Sequence, residues 1–355
     1  MTNTSPPPLL ASQDPAPRRV AVLRASRIGD FICATPFLRL LRRTLPQAEI
    51  TLITLPMLCP AAARLDSLDR VAGFPGFPGL AEQLFEPRRA LAFLRRMQAR
   101  RFDLAIQLQG SGVYANPFTL LLGARRTAGF VRPGDPPGRL DAALPLPDAG
   151  HEVQRVLAMA DLLGLPRPAG PPPPTEFPLW PQDHAAAAAL LEGAARPLIG
   201  LHPAARDATR RWSPARFAAA AGELQRRCGG TLVGLGEAAE APLVERILQD
   251  ARAPQRSLAG KTSLPALGAV IQRLDLLLTN DSGPAHIAYA LGAPTVTIFG
   301  GGDPRRYGPP APGPFRTPAA PAECRPCGYA RCPVGDACLQ AISVEQVVEA
   351  ALQLL

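Results

Sequence analysis

The stretch 275–292, DLLLTNDSGPAHIAYALG, decides the fold, because it predicts a buried strand, a sharp polar turn and a helix in direct succession. Its three leucines form a run too short to be a helix, and Pro284 stands where a first helical residue needs no N–H. The start of such a helix favours an anion, and neither Ser282 nor Gly283 has the bulk to hold a phosphate away. A phosphate-binding turn is therefore one interpretation, and a capped helix of an α/β domain is the other.

Strands alternate with helices on both sides of a proline-rich run, PRPAGPPPP, at 166–174. This order predicts an α/β fold with two Rossmann-like, doubly wound parallel-sheet domains that face a central cleft. Ligands of such sheets bind at the carboxyl ends of the strands. The predicted segments are a disordered tail at 1–17, an N-terminal domain at 18–165, a linker and connecting helix at 166–196, a C-terminal domain with a Cys-rich loop at 197–340 and a last helix at 341–355. Irregular loops are expected at 131–150 and 300–322.

Composition limits the partners. The formal charge of +9 favours an acidic partner, whereas aromatic residues make up only 5% and do not interleave with basic ones, so nucleic acid is not expected. No apolar run approaches the ~20 residues of a membrane-spanning helix, and the N-terminus lacks the apolar core of a signal peptide. A basic amphipathic helix predicted at 87–101 fits docking at an anionic membrane face. The expected location is therefore cytoplasmic and peripheral at an anionic membrane face.

Two charged positions follow predicted strands. In ASRIGD (25–30), a carboxylate at Asp30 can take a proton from a substrate hydroxyl; the alternative is that Asp30 only favours the helix dipole. In LHPAARDATRRW (201–212), Arg206, Arg210 and Arg211 concentrate positive charge, and arginine forks match phosphate oxygens. A solvated basic loop is the alternative there.

The segment GLGEAA (234–239) resembles a dinucleotide fingerprint, but the acidic residue expected ~20 positions later is absent. We therefore interpret Gly236 as a close-approach glycine beside a nucleotide and Glu240 as a partner for ribose or base hydroxyls. A tight turn with a surface glutamate explains the same letters.

Four cysteines, Cys324, Cys327, Cys332 and Cys338, are spaced closely enough for their thiolates to meet on one metal ion. A structural zinc is the prediction. Four reduced thiols or a redox-labile pair are the alternatives, and an iron–sulfur cluster is less favoured.

Taken together and in this order, the motifs resemble glycosyltransferase family 9, the ADP-heptose:lipopolysaccharide heptosyltransferases. The resemblance rests on R-x-S-x-I-G-D (24–30) with Thr-Pro after it, HEVQRVLAMADLLGLP (151–166), IGLHPAA with RRW, GKTSLPAL, and most specifically TNDSGPAHIAYALGAPTVTIFG (279–300) with Asp-Pro following. It implies a GT-B fold and an inverting, metal-independent transfer that needs no cofactor.

The resemblance also assigns roles. Asp30 matches the family's general base, and the acceptor-side residues are Arg24, Ser26 and Gly29. The diphosphate site matches Asp281, Ser282, Gly283 and His286. Arg210 stands where the family usually has lysine. The chain departs from the family at Ala204 and Ala205, where some members have hydroxyl residues, and at Gly301 and Gly302, in place of Pro-Thr.

The predicted function is transfer of a sugar, heptose by the resemblance, from a nucleotide-diphospho-sugar donor, ADP-linked by the same resemblance, to a lipid-linked, phosphorylated saccharide of the lipopolysaccharide core. The N-terminal domain would bind the acceptor and the C-terminal domain the donor. A GT-B sugar-nucleotide epimerase and a non-catalytic sugar-nucleotide or lipopolysaccharide binding protein are the alternatives, and a nicotinamide-dependent oxidoreductase is more distant.

Overall fold

A computed structural model describes residues 9–10, 16–167 and 172–355 of the chain. The protein divides into two compact units, Met1–Glu176 and Phe177–Leu355. This division falls inside the predicted linker at 166–196. Most of the predicted disordered tail, and residues 168–171 of that linker, lie outside the described residues.

The described part of the first unit contains a six-stranded parallel sheet in the order β3-β2-β1-β4-β5-β6. Its strands are β1 Arg19–Leu23, β2 Glu49–Thr54, β3 Arg70–Gly73, β4 Leu104–Gln107, β5 Arg126–Val131 and β6 Ala142–Pro145. Its helices are α1 Ile28–Thr44, α2 Cys59–Ala62, α3 Pro87–Gln98, α4 Ala115–Leu120 and α5 Glu152–Leu163.

The second unit contains, in its described residues, another six-stranded parallel sheet, in the order β12-β11-β10-β7-β8-β9. Its strands are β7 Leu198–His202, β8 Thr231–Gly234, β9 Gln255–Ser257, β10 Leu276–Asn280, β11 Thr295–Ile298 and β12 Phe315–Arg316. Its helices are α6 Pro181–Leu190, α7 Pro214–Cys228, α8 Ala241–Ala251, α9 Leu264–Arg273, α10 Gly283–Leu291, α11 Pro304–Tyr307, α12 Ala337–Gln340 and α13 Val344–Leu352.

Both units therefore repeat one topology, in which the first strand lies between the second and the fourth. The central strands β1, β7 and β10 are buried on both faces, as expected for parallel strands covered by helices on either side. The predicted fold class, α/β with two Rossmann-like, doubly wound parallel-sheet units, is confirmed. Within the ranges that the structure describes, no helix combines the length and the apolar character needed to cross a bilayer.

Two loop predictions were wrong. The segment 131–150 contains β6, and the segment 300–322 contains both α11 and β12. The edge strands β6 and β12 are at most half-buried and pair with a neighbour on one side, so they carry little of the hydrophobic pattern that marks a central strand.

Aspartates that precede one strand hold the start of the neighbouring strand. Asp103, before β4, accepts hydrogen bonds from the backbone N–H groups of Arg18 and Arg19, at 2.9 and 3.0 Å. Asp275, before β10, accepts from the N–H of Leu198 at 2.6 Å. These charge-assisted bonds fix the alignment of the first and fourth strands in each unit, which brings the strand ends that carry the site to one edge.

We expect Asp275→Ala to lower the free energy of unfolding of the second unit by about 1–3 kcal/mol, because a hydrogen bond from a backbone N–H to a carboxylate is lost at the start of β7. Urea denaturation would measure this. The matched control is Asp250→Ala, whose exposed ion pair with Arg246 spans 3.8 Å and should contribute almost nothing. Equal effects of the two substitutions would contradict the role of Asp275.

Candidate active site

The turn between β10 and α10 leaves the start of a helix without a side-chain cap. Ser282 is the N-cap residue in extended conformation, but its hydroxyl bonds no N–H of the helix. The hydroxyl lies instead 3.2 Å from Nδ1 of His202 and donates to the carbonyl of Asn280 at 3.2 Å. The first-turn N–H groups of a nine-residue helix therefore lack a capping side chain, which is the arrangement that binds anions.

The loop after β7 is held at both ends by one buried amide. The fully buried side chain of Asn280 donates to the carbonyl of Pro203 at 2.6 Å and accepts from the N–H of Trp212 at 3.1 Å. Trp212 is itself buried, and its indole N–H donates to the carbonyl of Ile342 at 3.1 Å. The loop 203–212 is thus fixed beside the end of β10.

Arg210 is the charged group that this loop brings to the turn. Its Nη1 lies 3.1 Å from Oδ2 of Asp281, which is 3% exposed, and its Nε lies 3.8 Å from Oδ2 of Asp207. Arg210 itself keeps 31% of its side chain exposed. The buried aspartate therefore orients the guanidinium while leaving part of it accessible to a ligand. The structure thus brings together the predicted residues Arg210, Asp281, Ser282 and Gly283.

His202 adds a polar group that the sequence analysis did not single out. It is the last residue of β7, and burial lowers the pKa of its imidazole to about 4. The ring is therefore neutral near pH 7 and acts as a hydrogen-bonding partner of Ser282 rather than as a cation. The only sequence signal for this role was its place in the LHPAA motif, directly after a strand.

Glu240 and Gly236 lie together beside His202. The carboxylate of Glu240 accepts from the N–H of Glu237 at 2.8 Å and lies 3.9 Å from Nε2 of His202. Burial, more than any other cause, raises the pKa of Glu240. A Cβ on Gly236 would stand 3.0 Å from the Glu240 carboxylate, so glycine allows this close packing. Glu240 caps a short turn and keeps 29% of its side chain exposed.

His286 lies on the first turn of α10, as predicted, but it is 6% exposed. Its ring packs edge-on against Tyr289 and Tyr307, with ring centroids 5.8 and 6.0 Å apart. These two aromatic rings limit the orientation of the imidazole.

Gly301 and Gly302 stand where a side chain would be crowded. A Cβ on Gly302 would clash with the carboxylate of Asp281, and a Cβ on Gly301 would lie 2.6 Å from Sγ of Cys327. The N–H of Gly301 donates to the carbonyl of Thr209 at 2.8 Å, and its carbonyl accepts from Cys327 at 2.9 Å. The two glycines therefore let the turn after β11 approach both the Arg210–Asp281 pair and the Cys-rich loop.

The Cys-rich loop at 324–338 supports the turn that carries Arg210. The Thr209 hydroxyl donates to the carbonyl of Tyr329, and the N–H of Ala208 donates to the carbonyl of Ala330, both at 2.7 Å. Burial, followed by the other three thiols of the loop, raises the pKa of Cys338. Even so, no three His, Cys, Asp or Glu side chains of the described chain are arranged to hold a metal ion. The predicted zinc therefore stays a prediction.

The other predicted charged site lies in the first unit. Asp30 is the third residue of α1, and its carboxylate is 26% exposed. Arg24, which follows β1 directly, lies 3.2 Å from this carboxylate and is 3% exposed. Ser26 and Gly29 are also buried, so of the four predicted residues it is Asp30 whose charged group is most accessible to a substrate.

Two further charged residues in the first unit were not predicted as site residues. Glu152, the first residue of α5, lies 3.0 Å from Arg24, and Arg155 lies 2.7 Å from the other oxygen of Glu152. Both are almost fully buried. The sequence signal was a pair of opposite charges three residues apart at the start of the helical stretch HEVQRVLAMADLL.

We expect Arg210→Ala to lower the midpoint of thermal unfolding, because the buried carboxylate of Asp281 loses its ion pair with Arg210, at a cost of about 1–3 kcal/mol. The double variant Arg210→Ala, Asp281→Asn should recover most of that loss, since the buried charge is removed as well. Arg305→Ala is the control, because Arg305 is 83% exposed and its ion pair with Asp303 contributes little. A double variant less stable than Arg210→Ala would contradict the buried-charge explanation.

Comparison with known proteins agrees with this architecture. The model of glycosyltransferase family 9 (heptosyltransferase) matches residues 90–335. The chain is 24% identical over 303 residues to the lipopolysaccharide core heptosyltransferase OpsX of Haemophilus influenzae, covering 83% of this chain and 82% of that protein. It is 29% identical over 304 residues to lipopolysaccharide heptosyltransferase 2 of Salmonella typhimurium, covering 81% and 84%.

A solved structure shares the fold. The E. coli ADP-heptose lps heptosyltransferase II superposes with a TM-score of 0.76 at 22% identity, covering 95% of this chain and 98% of that one. Because the family model spans more than half of the sequence and the relatives are matched over most of their length, the chain belongs to glycosyltransferase family 9 (heptosyltransferase).

Proposed function

We propose that the protein is an inverting heptosyltransferase that moves heptose from ADP-heptose to a phosphorylated saccharide of the lipopolysaccharide core. The family membership supports transfer, and the names of the matched proteins supply the donor and the acceptor class. An epimerase or a non-catalytic binding protein is less well supported, because the matched relatives are heptosyltransferases.

The observation that carries the proposal is the chemistry of the loops that follow the first strand of each unit. After β1 stands a carboxylate, Asp30, that is oriented by a buried arginine yet partly exposed. After β7 stands Arg210, oriented by a buried aspartate beside the uncapped start of α10. A base for an acceptor hydroxyl and a cradle for a leaving diphosphate are the two parts that an inverting, single-displacement transfer needs.

In the proposed reaction, Asp30 takes the proton of the acceptor hydroxyl, and the hydroxyl oxygen attacks the anomeric carbon of the donor. The bond from that carbon to the diphosphate oxygen breaks, and the diphosphate leaves with the electron pair. Arg210 and the N–H groups at the start of α10 stabilise the charge that develops on the diphosphate. In this proposal Glu240 binds hydroxyls of the nucleoside, and His286 contributes to the diphosphate site.

A structural zinc on the four thiols of residues 324–338 remains part of the proposal only as a support for the loop that holds Thr209, and no catalytic step uses it. Metal analysis of the protein purified under reducing conditions is its direct measurement.

We also propose that α3 docks on the anionic cytoplasmic face of the inner membrane. Leu84 and Leu91 are 82% and 51% exposed, and Arg88 and Arg95 are exposed one helical turn to either side of Leu91. The guanidinium of Arg89 donates to the backbone carbonyl of Leu84 at 2.8 Å, which ties the segment before α3 to the helix. Exposed apolar side chains ringed by arginines are typical of a helix that lies in a lipid headgroup layer.

The variant Arg88→Ala, Arg95→Ala should bind vesicles containing phosphatidylglycerol more weakly, by on the order of 30-fold, since each basic residue near such a surface contributes about 1 kcal/mol. Cosedimentation measures this, with phosphatidylcholine vesicles for comparison. The control is Arg226→Ala, Arg246→Ala, which removes two exposed arginines from α7 and α8. Equal binding to both lipids, or equal losses in both variants, would contradict docking through α3.

We expect Asp30→Asn to reduce transfer from ADP-heptose to a heptose-deficient lipopolysaccharide by at least about 100-fold, as expected when a general base is lost. Mass spectrometry of the product would measure transfer, and calorimetry with ADP-heptose, UDP-glucose and GDP-mannose would measure donor binding and its selectivity. Donor affinity should stay unchanged, because the diphosphate residues lie in the second unit. Asp161→Asn, at an exposed ion pair with Arg167, is the matched control. Near-normal turnover in Asp30→Asn would remove Asp30 from its role.

A further inference from the structure

The carboxylate of Asp30 is held by a buried arginine that a second carboxylate shares. Nη2 of Arg24 lies 3.2 Å from Asp30 and 3.0 Å from Glu152. Nε of Arg24 also donates to the backbone carbonyl of Asp30 at 3.0 Å, and Nη1 donates to the carbonyl of Leu108. Arg24 thus bonds both the main chain and the side chain of Asp30, which fixes the direction of the carboxylate.

Glu152 is held in turn by a second arginine. Its Oε2 accepts from Arg155 at 2.7 Å, and Nε of Arg155 donates to the carbonyl of Pro147 at 2.5 Å. The Arg24 network, defined as Arg24, Asp30, Glu152 and Arg155, therefore contains two guanidinium groups and two carboxylates. Three of its four side chains are 3–6% exposed, and only the carboxylate of Asp30 reaches solvent, at 26%.

This charge balance has a consequence for the base. A cation close to a carboxylate stabilises its charged form and weakens it as a base, whereas a neighbouring anion does the opposite. Arg24 alone would hold Asp30 firmly but would lower its basicity. Glu152 offsets part of that charge in a buried setting, where water screens it little. Holding the carboxylate in place and preserving its basicity are then two separate tasks, done by two residues.

We propose that Arg24 and Glu152 are positioning residues for Asp30, with Arg24 orienting the carboxylate and Glu152 limiting how strongly Arg24 stabilises its charged form. This inference rests on the proposed role of Asp30 as the base. Arg155 faces Glu152, and the titratable His151 precedes Glu152 as the N-cap residue of α5. Arg27, the N-cap residue of α1, is 53% exposed and lies 3.8 Å from Glu82.

The test is the pH dependence of kcat/KM for transfer from ADP-heptose to a heptose-deficient lipopolysaccharide, since its acidic limb reports protonation of the base in the free enzyme. Glu152→Gln removes the offsetting anion, so the limb should move to lower pH by up to about one unit, and the plateau should fall several-fold. Arg24→Gln removes the cation, so the limb should move to higher pH. If the two residues had a purely structural role, both substitutions would lower activity, but they would not move the acidic limb in opposite directions.

Where Arg24→Gln fails to fold, Arg24→Lys replaces it. Lysine keeps the charge but loses the guanidinium fork, so the limb should stay near its wild-type position while kcat falls. Thermal unfolding followed by circular dichroism reports whether each variant is folded, because the substitutions lie in the first unit and donor binding is expected in the second. Asp161→Asn serves as the unshifted control on the exposed side of α5.

An unshifted limb in a folded Glu152→Gln variant would overturn the proposal, as would shifts in the same direction for Glu152→Gln and Arg24→Gln. Asp30→Asn is measured in parallel. If Asp30→Asn is inactive and the acidic limb of Glu152→Gln stays at its wild-type pH, only the positioning role is wrong. Should Asp30→Asn be active, the proposed base itself is wrong.

Discussion

The side-chain amide of Asn280 holds both ends of the loop that carries Arg210. It is fully buried, and it bonds the carbonyl of Pro203 and the N–H of Trp212. A buried amide satisfied in this way is costly to disturb, because each freed backbone group would be left without a partner in the interior. The position of the cationic group therefore depends on a neutral residue at the end of a neighbouring strand.

Both charged sites use the same physical device, in which a buried ion orients a partly exposed one. In the second unit, buried Asp281 orients Arg210, and in the first unit, buried Arg24 orients Asp30. The signs are reversed, which suits the two proposed roles: Arg210 would stabilise negative charge on the leaving diphosphate, and Asp30 would accept a proton. Buried ion pairs contribute little to net stability once the cost of desolvation is counted. Their main effect here is therefore to orient the partly exposed partner rather than to stabilise the fold.

The candidate site shows how far sequence reasoning reaches. Asp30, Arg210 and the Asp281–Gly283 turn could be identified because each lies in the loop or helix start that comes after a hydrophobic strand, and strand ends of a parallel sheet meet at one edge. Glu152 could not, since it lies 128 residues from Arg24 and the pairing forms only when α5 packs on α1. His202 was hidden for a similar reason, because its place at the end of β7 did not reveal the contact with Ser282.

By itself, the sequence determined the alternation of strands and helices, the two-unit α/β fold and the family, because buried parallel strands and helix starts leave strong local patterns. Only the tertiary structure decided which charged side chains form ion pairs and which thiol approaches Gly301. It also decided that the edge strands β6 and β12 form. Local patterns record burial and turn geometry within a few residues. Ion pairing, steric fit and edge pairing depend on distances between segments far apart in the chain, which no short pattern encodes.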